Sequence, residues 1–211
     1  HLTFPLAWSG SLGYPFGEPA AFLDSIPIVA VLSWFINKLC HREFQYFGIY
    51  FLICCGLQFY FGYRIARRIR LNEINSTLAA CLFLIAPPFI WRAYGHFALA
   101  GHWIILAALD QFMERSKLPS WKQVAVRTTV CFLAAGINPY IAAMTLLIAS
   151  AACVQPMLAG RQNLVPSLAG IGLNFLCVIG GLIIFGFLYS SDISQYTQEG
   201  YGYYSMNLLA P

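Results

Sequence analysis

Charge is what this sequence has least of. Asp, Glu, Lys and Arg make up 9% of its 211 residues, against about 25% in ordinary soluble domains. Hydrophobic residues make up 59%, and mean hydropathy is +0.67. An ordinary soluble fold, a disordered chain, a collagen-like chain and a disulfide scaffold are all excluded on that composition. The net charge of +4 is too small to mark a nucleic-acid surface. There is no CxxC pair, and six of the seven cysteines fall inside apolar runs, where cysteine behaves as a small hydrophobe. Phosphate loop, nucleophile elbow, GxGxxG fingerprint and internal repeat are all missing. No positively charged segment precedes a short apolar stretch, so no signal peptide is visible. The chain starts with His1 and stops within an apolar run at Leu208-Leu209-Ala210-Pro211, and it is expected to be a fragment.

What is present is a series of long uncharged runs. A membrane-spanning helix needs about 20 apolar residues. Glu43 and Arg64 bracket Phe44 to Tyr63, Glu73 and Arg92 bracket Ile74 to Trp91, and Arg92 and Asp110 bracket a third run that Gln111-Phe112-Met113 extends. The run between Arg127 and Arg161 is too long for one crossing. Asn138-Pro139 divides it, because proline removes a donor and pushes the residue before it out of helical geometry. The last run lies between Arg161 and Asp192, with Pro166 suited to a first helical turn. The fold class is therefore all-α, a polytopic transmembrane bundle of about six spans at 44–66, 74–91, 96–113, 122–138, 140–158 and 166–188.

Lysine and arginine bias orients the bundle. With the 64–73 loop cytoplasmic, nine basic residues of the 64–73, 113–127 and 159–165 loops lie inside, and Lys38, Arg42 and Arg92 lie outside. Residues 1–43 then form an extracytoplasmic loop, and 189–211 form a truncated extracytoplasmic segment. Within the loop, residues 24–39 are too short to span comfortably. They are expected to form an interfacial helix, with Asp24 or Ser25 as N-cap and Pro27 in the first turn. Pro87-Pro88 should break the second span near its outer end.

Polar and aromatic residues gather on the outer face. Asp24 suits either a helix cap or a partly desolvated general base, and Glu18 is the next carboxylate in that loop. Arg92, between Trp91 and Tyr94, suits a phosphate or an interfacial anchor. His96 at the mouth could bind phosphate or move a proton. His102 lies deeper and should face the bundle interior. On an α-helix the two histidines, six residues apart, would not share a face, so no metal site is assigned. Asn138, Tyr140, Tyr203, Tyr204 and Asn207 complete the substrate-facing set. Gln45, Gln58 and Asn174 are expected to make helix–helix hydrogen bonds. Asp110 is expected to be a solvated helix end on the inner side.

Six segments carry a family resemblance: Gly13-Tyr14-Pro15-Phe16-Gly17, Phe22-Leu23-Asp24-Ser25-Ile26-Pro27, Phe44-Gln45-Tyr46-Phe47-Gly48, Arg92 to Trp103, Asn138 to Met144, and Gly200 to Leu209. With them the chain resembles a family of uncharacterised bacterial multi-pass membrane proteins, itself similar to the C-superfamily (GT-C) glycosyltransferases. The resemblance implies transfer of a sugar from a polyprenyl-phosphate-linked donor to a cell-envelope acceptor, at the outer face of the bacterial inner membrane. It implies that the lipid-linked donor is a substrate, with the cofactor unknown and a divalent metal left open. Its partners would be membrane lipid, the polyprenyl-phosphate carrier and a glycan acceptor, with no nucleic acid. A missing first helix and the start of the outer loop would carry the usual catalytic carboxylate, leaving Asp24 as a second candidate and His96 beside it. Arg92 would suit the carrier phosphate. The alternative is a non-enzymatic transporter, flippase or scaffold for a lipid-linked glycan. A transporter would be expected to carry polar groups through the midplane.

Overall fold

The computed structural model describes residues 8–9, 18–19, 24–41, 45–114, 120–158 and 164–188. Apart from a two-residue antiparallel pair, β1 (Trp8–Ser9) with β2 (Glu18–Pro19), every element among them is helical. The helices are α1 (Pro27–Cys40), α2 (Phe47–Arg68), α3 (Glu73–Leu84), α4 (Pro87–Gly95), a 3-10 segment (Phe97–His102), α5 (Trp103–Phe112), α6 (Trp121–Ile137), α7 (Pro139–Leu158) and α8 (Leu164–Ile184).

The breaks between helices have local causes. Pro87 forces Ala86 to ψ 127°, which ends the run of α3 and lets Pro87 and Pro88 open α4, where a missing amide hydrogen costs nothing. Asn72 caps α3 by accepting from the Asn75 amide at 2.8 Å. Ser120 and Gln123 form a reciprocal capping box at α6. Asn138 turns to extended backbone, and its Oδ1 accepts from the Tyr140 amide at 2.9 Å, so the residue that closes α6 also opens α7. The N-cap of α1 is Ile26, with no side-chain cap bond, so neither Asp24 nor Ser25 caps that helix as expected. The third expected span, 96–113, begins in 3-10 rather than α geometry.

Among the described residues, four helical stretches are long and apolar enough to cross a membrane: Phe47–Arg68, Glu73–Gly95, Pro139–Leu158 and Leu164–Ile184. The stretch Phe97–Phe112 is apolar but shorter, and α6 has 17 residues with Lys122 and Arg127 inside it. The chain is a polytopic helical membrane protein. Its residues are sorted accordingly. Large aliphatics point outward, with Leu52, Leu147 and Leu176 each about 70% exposed. Small residues fill the interior, with Ala134, Ala135, Ala142, Ala149 and Ala152 buried. Small contact residues let helix backbones approach where no aqueous hydrophobic effect drives them together. At the α6–α8 contact, a Cβ on Gly181 would fall 2.7 Å from the Ala135 Cβ, and at α7–α8 one on Gly170 would fall 2.9 Å from Cys153 Sγ.

Polar groups join the helices at three depths. Gln58 of α2 donates to the Phe83 carbonyl of α3 at 3.5 Å. Thr128 of α6 donates to Asn174 Oδ1 of α8 at 3.1 Å, and Asn174 is fully buried. Asp110 of α5 is 2% exposed, not the solvated helix end expected. Arg68 donates to both of its oxygens, and Arg64 reaches one of them at 2.9 Å. Arg64 and Arg68 lie one turn apart on α2, so a single face of that helix grips one carboxylate. Arg127, counted with the 113–127 loop for charge but also within the expected span 122–138, lies buried in α6, with Nη1 3.8 Å from Cys153 Sγ.

Candidate functional site at the Asp24 end of the bundle

The end of the bundle opposite Asp110 is assembled around the 3-10 segment. Ala98 lies at its second position. The Ala98 amide donates to Asp24 Oδ1 at 3.1 Å, and its carbonyl accepts from Tyr50 Oη at 3.3 Å. The N-cap of this segment, His96, makes no side-chain cap bond. Asp24 therefore supplies from a distant loop the acceptor that a helix start lacks. The carboxylate caps a helix, as sequence suggested, but a different one. Gly101 is required by the same packing: a Cβ there would sit 2.9 Å from Tyr50 Oη and 3.0 Å from Ile137 Cγ2. At Gly136 it would sit 2.7 Å from the Ile28 Cβ, which brings α1 against α6.

Asp24 itself is exposed at this end. Tyr46 lies half-buried nearby. Burial pushes its phenol above the ordinary tyrosine range, and the charge of Asp24 adds to the effect. Tyr46 stacks on Phe47 with ring centroids 4.5 Å apart, and Phe47 meets Phe97 edge to face at 5.8 Å. An aromatic wall thus runs from the start of α2 to the 3-10 segment.

The sequence-derived residues divide into three groups. Asp24 is joined directly to the 3-10 segment, which runs between His96 and His102. Arg92, in the last turn of α4, is partly exposed, and His102, which closes the 3-10 segment, is half-buried. Among the described residues no carboxylate pairs with Arg92. His96 is exposed and ends α4. The α-helical argument separating the two histidines does not apply in a 3-10 segment. There, two turns set them roughly 12 Å apart along the axis, which keeps them from one shared ligand atom. Tyr94 is 87% exposed and Tyr140 is 73% exposed, so both are surface rings rather than pocket walls. Asn138 is committed to the α7 cap. Glu18 stands in β2, paired with Ser9. Tyr203, Tyr204 and Asn207 lie outside the described residues. Among those described, no group of three His, Cys, Asp or Glu side chains could hold a metal ion.

Beside this cap lies a groove of about 700 Å³, lined by Ala30, Ser33, Trp34, Asn37, Gln45, Tyr46 and Phe47. Its volume falls within the range of small-ligand sites, roughly 300–1,000 Å³. One wall is a stripe of α1 at helical spacing, positions 30, 33, 34 and 37. The other is the entry to α2. The groove residues Ser33 and Asn37 were not singled out from sequence. The available signal was polar Ser33 and Asn37 four residues apart on an otherwise apolar helix.

No curated protein matches the chain, and no solved structure does. The one family match covers its whole length: the chain belongs to the family described as a domain of unknown function, DUF6311, over residues 1–211.

Proposed function

We propose that this protein is a membrane glycosyltransferase of the C-superfamily type, moving a sugar from a polyprenyl-phosphate-linked donor to a cell-envelope acceptor at the outer face of the bacterial inner membrane. One observation carries the reading. The loop carboxylate Asp24 is bonded to the 3-10 segment between the two histidines, at the end of the bundle where Arg92 has no carboxylate partner among the described residues. A carboxylate, an uncommitted guanidinium and imidazoles at one bundle end are the groups that transfer from a phosphate-linked donor needs. The guanidinium would hold the carrier phosphate, and carboxylate or imidazole would take the acceptor proton. The aromatic wall of Tyr46, Phe47 and Phe97 suits both a sugar face and a prenyl chain.

Asp24 accepts from a backbone amide, so its first role is to fix the 3-10 segment. A base role would fall to the carboxylate face left toward solvent. Asp24→Asn separates the two, since asparagine keeps the acceptor and loses the basicity. In the full-length protein, purified in detergent and supplied with radiolabelled polyprenyl-phosphate sugars and envelope extracts, label should leave the carrier. Arg92→Ala should abolish transfer with expression and melting unchanged. Transfer that persists in both Arg92→Ala and Asp24→Asn would overturn the assignment of these residues. The absence of transfer from every donor, with saturable carrier binding, would favour a flippase or scaffold.

A further inference from the structure

We infer that the groove between α1 and the start of α2 is a binding site for a neutral, hydroxyl-bearing sugar ring. Among the described residues, its lining carries no charged side chain, which favours a neutral ligand over a phosphate or a carboxylate. What it offers is two carboxamides, Asn37 and Gln45, and three aromatic rings, Trp34, Tyr46 and Phe47. Asn37 Oδ1 is buried, and among the described residues it has no hydrogen-bond partner. A buried acceptor left unmade costs about 1–3 kcal/mol, so this one calls for a donor from a ligand. Lipid acyl chains cannot supply that donor, whereas sugar hydroxyls and acetamido N–H groups can.

The ring geometry agrees with this. Lys38 Nζ lies 5.2 Å from the centroid of the Trp34 ring, and Phe35 meets Trp34 edge to face at 4.8 Å. Trp34 is thereby held in place on α1 while it lines the groove. A fixed indole beside amide groups is suited to the apolar face of a pyranose with its equatorial hydroxyls turned to the amides. Ala30, one turn before Ser33 and Trp34, keeps the floor open. The groove adjoins the Asp24 cap through Tyr46, which borders both, so the sugar bound here would be the acceptor. That role rests on the transfer reading, whereas the binding itself does not.

The test uses the full-length protein in lipid nanodiscs and equilibrium dialysis of tritiated methyl glucoside, methyl mannoside and methyl N-acetylglucosaminide. Glucuronate and inorganic phosphate serve as charged controls. At least one neutral glycoside should bind saturably, and neither charged control should compete. Asn37→Leu and Trp34→Ala should each weaken binding about tenfold or more. Gln45→Ala, at an exposed position, should also weaken it, and it keeps the test decisive if Trp34→Ala fails to fold. Leu147→Ala, on an outward face of α7, should leave it unchanged. No saturable binding of any glycoside up to about 100 mM would overturn the inference, as would binding that survives all three groove substitutions. Transfer activity without groove binding would sink the groove alone. Groove binding without transfer would sink the transfer reading and leave the groove.

Discussion

Removing the Asp110 carboxylate should unfasten α5 from α2. Its side chain is 3% exposed and meets two arginines, Arg68 through both oxygens and Arg64 at 2.9 Å. Breaking a buried ion pair by deleting one partner costs roughly 3–5 kcal/mol, because the other charge stays behind unpaired. Here the arginines are 21% and 41% exposed, so each can recover part of its solvation. Arg68 also has Glu114 at 3.8 Å as a fallback. The expected cost of Asp110→Ala is therefore below that range, about 2–3 kcal/mol. Asp110→Asn keeps the shape and one acceptor oxygen, and should cost about 1–2 kcal/mol. Unfolding of the purified protein in mixed micelles, titrated with dodecyl sulfate, reads these differences. The decisive arm is a double-mutant cycle. With Arg68→Met already present, Asp110→Leu should cost much less than it does alone, since an apolar pair replaces an ionic one. A loss under about 0.5 kcal/mol for Asp110→Ala, or strict additivity in the cycle, would refute the claim that this carboxylate ties the two helices together.

Asp24→Ala should lower stability by about 1 kcal/mol, as loss of a helix cap does, while Asp24→Asn should hold it; thermal melts of both variants check the pair. Gly136→Ala should cost about 1–3 kcal/mol, because its Cβ would fall 2.7 Å from the Ile28 Cβ and 2.8 Å from Phe185 Cε2. The ring can move and the Ile28 Cβ cannot, so proteolysis around α1 should accelerate more than global unfolding. Thr128→Val should cost about 0.6 kcal/mol, the ordinary worth of an interhelical hydrogen bond in a membrane, by the same micelle titration. A cost above about 2 kcal/mol would mean that Asn174 is left with no alternative donor.

The fold class was legible because a membrane enforces it: long uncharged runs must be helical, and prolines must punctuate them. Asn138-Pro139 and Pro87-Pro88 marked their breaks correctly for that reason. The 3-10 segment was not legible. Its geometry is set by Asp24 and Tyr50, both distant in sequence, and by the close approach that Gly101 allows. The ion cluster left a signal that spacing alone could have caught: Arg64 and Arg68 are four apart and mark one face of α2. Asp110 lies in the last turn of α5 with Glu114 just past it, and only the pairing across helices needed the fold. Of the site, Asp24 was visible as a carboxylate at a helix start. Which helix it served, and that Tyr94 and Tyr140 would lie on the surface, depended on tertiary packing.

The two ends of the bundle are built differently, and the difference bears on function. At the Asp110 end, arginines on one helix grip a single carboxylate on another, an arrangement with little freedom to shift without uncovering charge. At the Asp24 end, the described contacts are a bond from the Ala98 amide to Asp24 and the aromatic contacts of Tyr46, Phe47 and Phe97. The α1 helix meets the bundle mainly along α6, where Ile28 sits against Gly136. Local opening should therefore begin at the Asp24 end, since elements with few buried contacts open at the lowest cost. That is also the end bearing the groove, the aromatic wall and Arg92, which has no carboxylate partner among the described residues. A site that must admit a ligand from the membrane surface gains from a wall that can part while the far end holds the helices in register. The polar cluster of Thr128, Cys153 and Asn174 lies between the two ends on helices with small-residue contacts. It joins α6, α7 and α8 to one another through side-chain bonds.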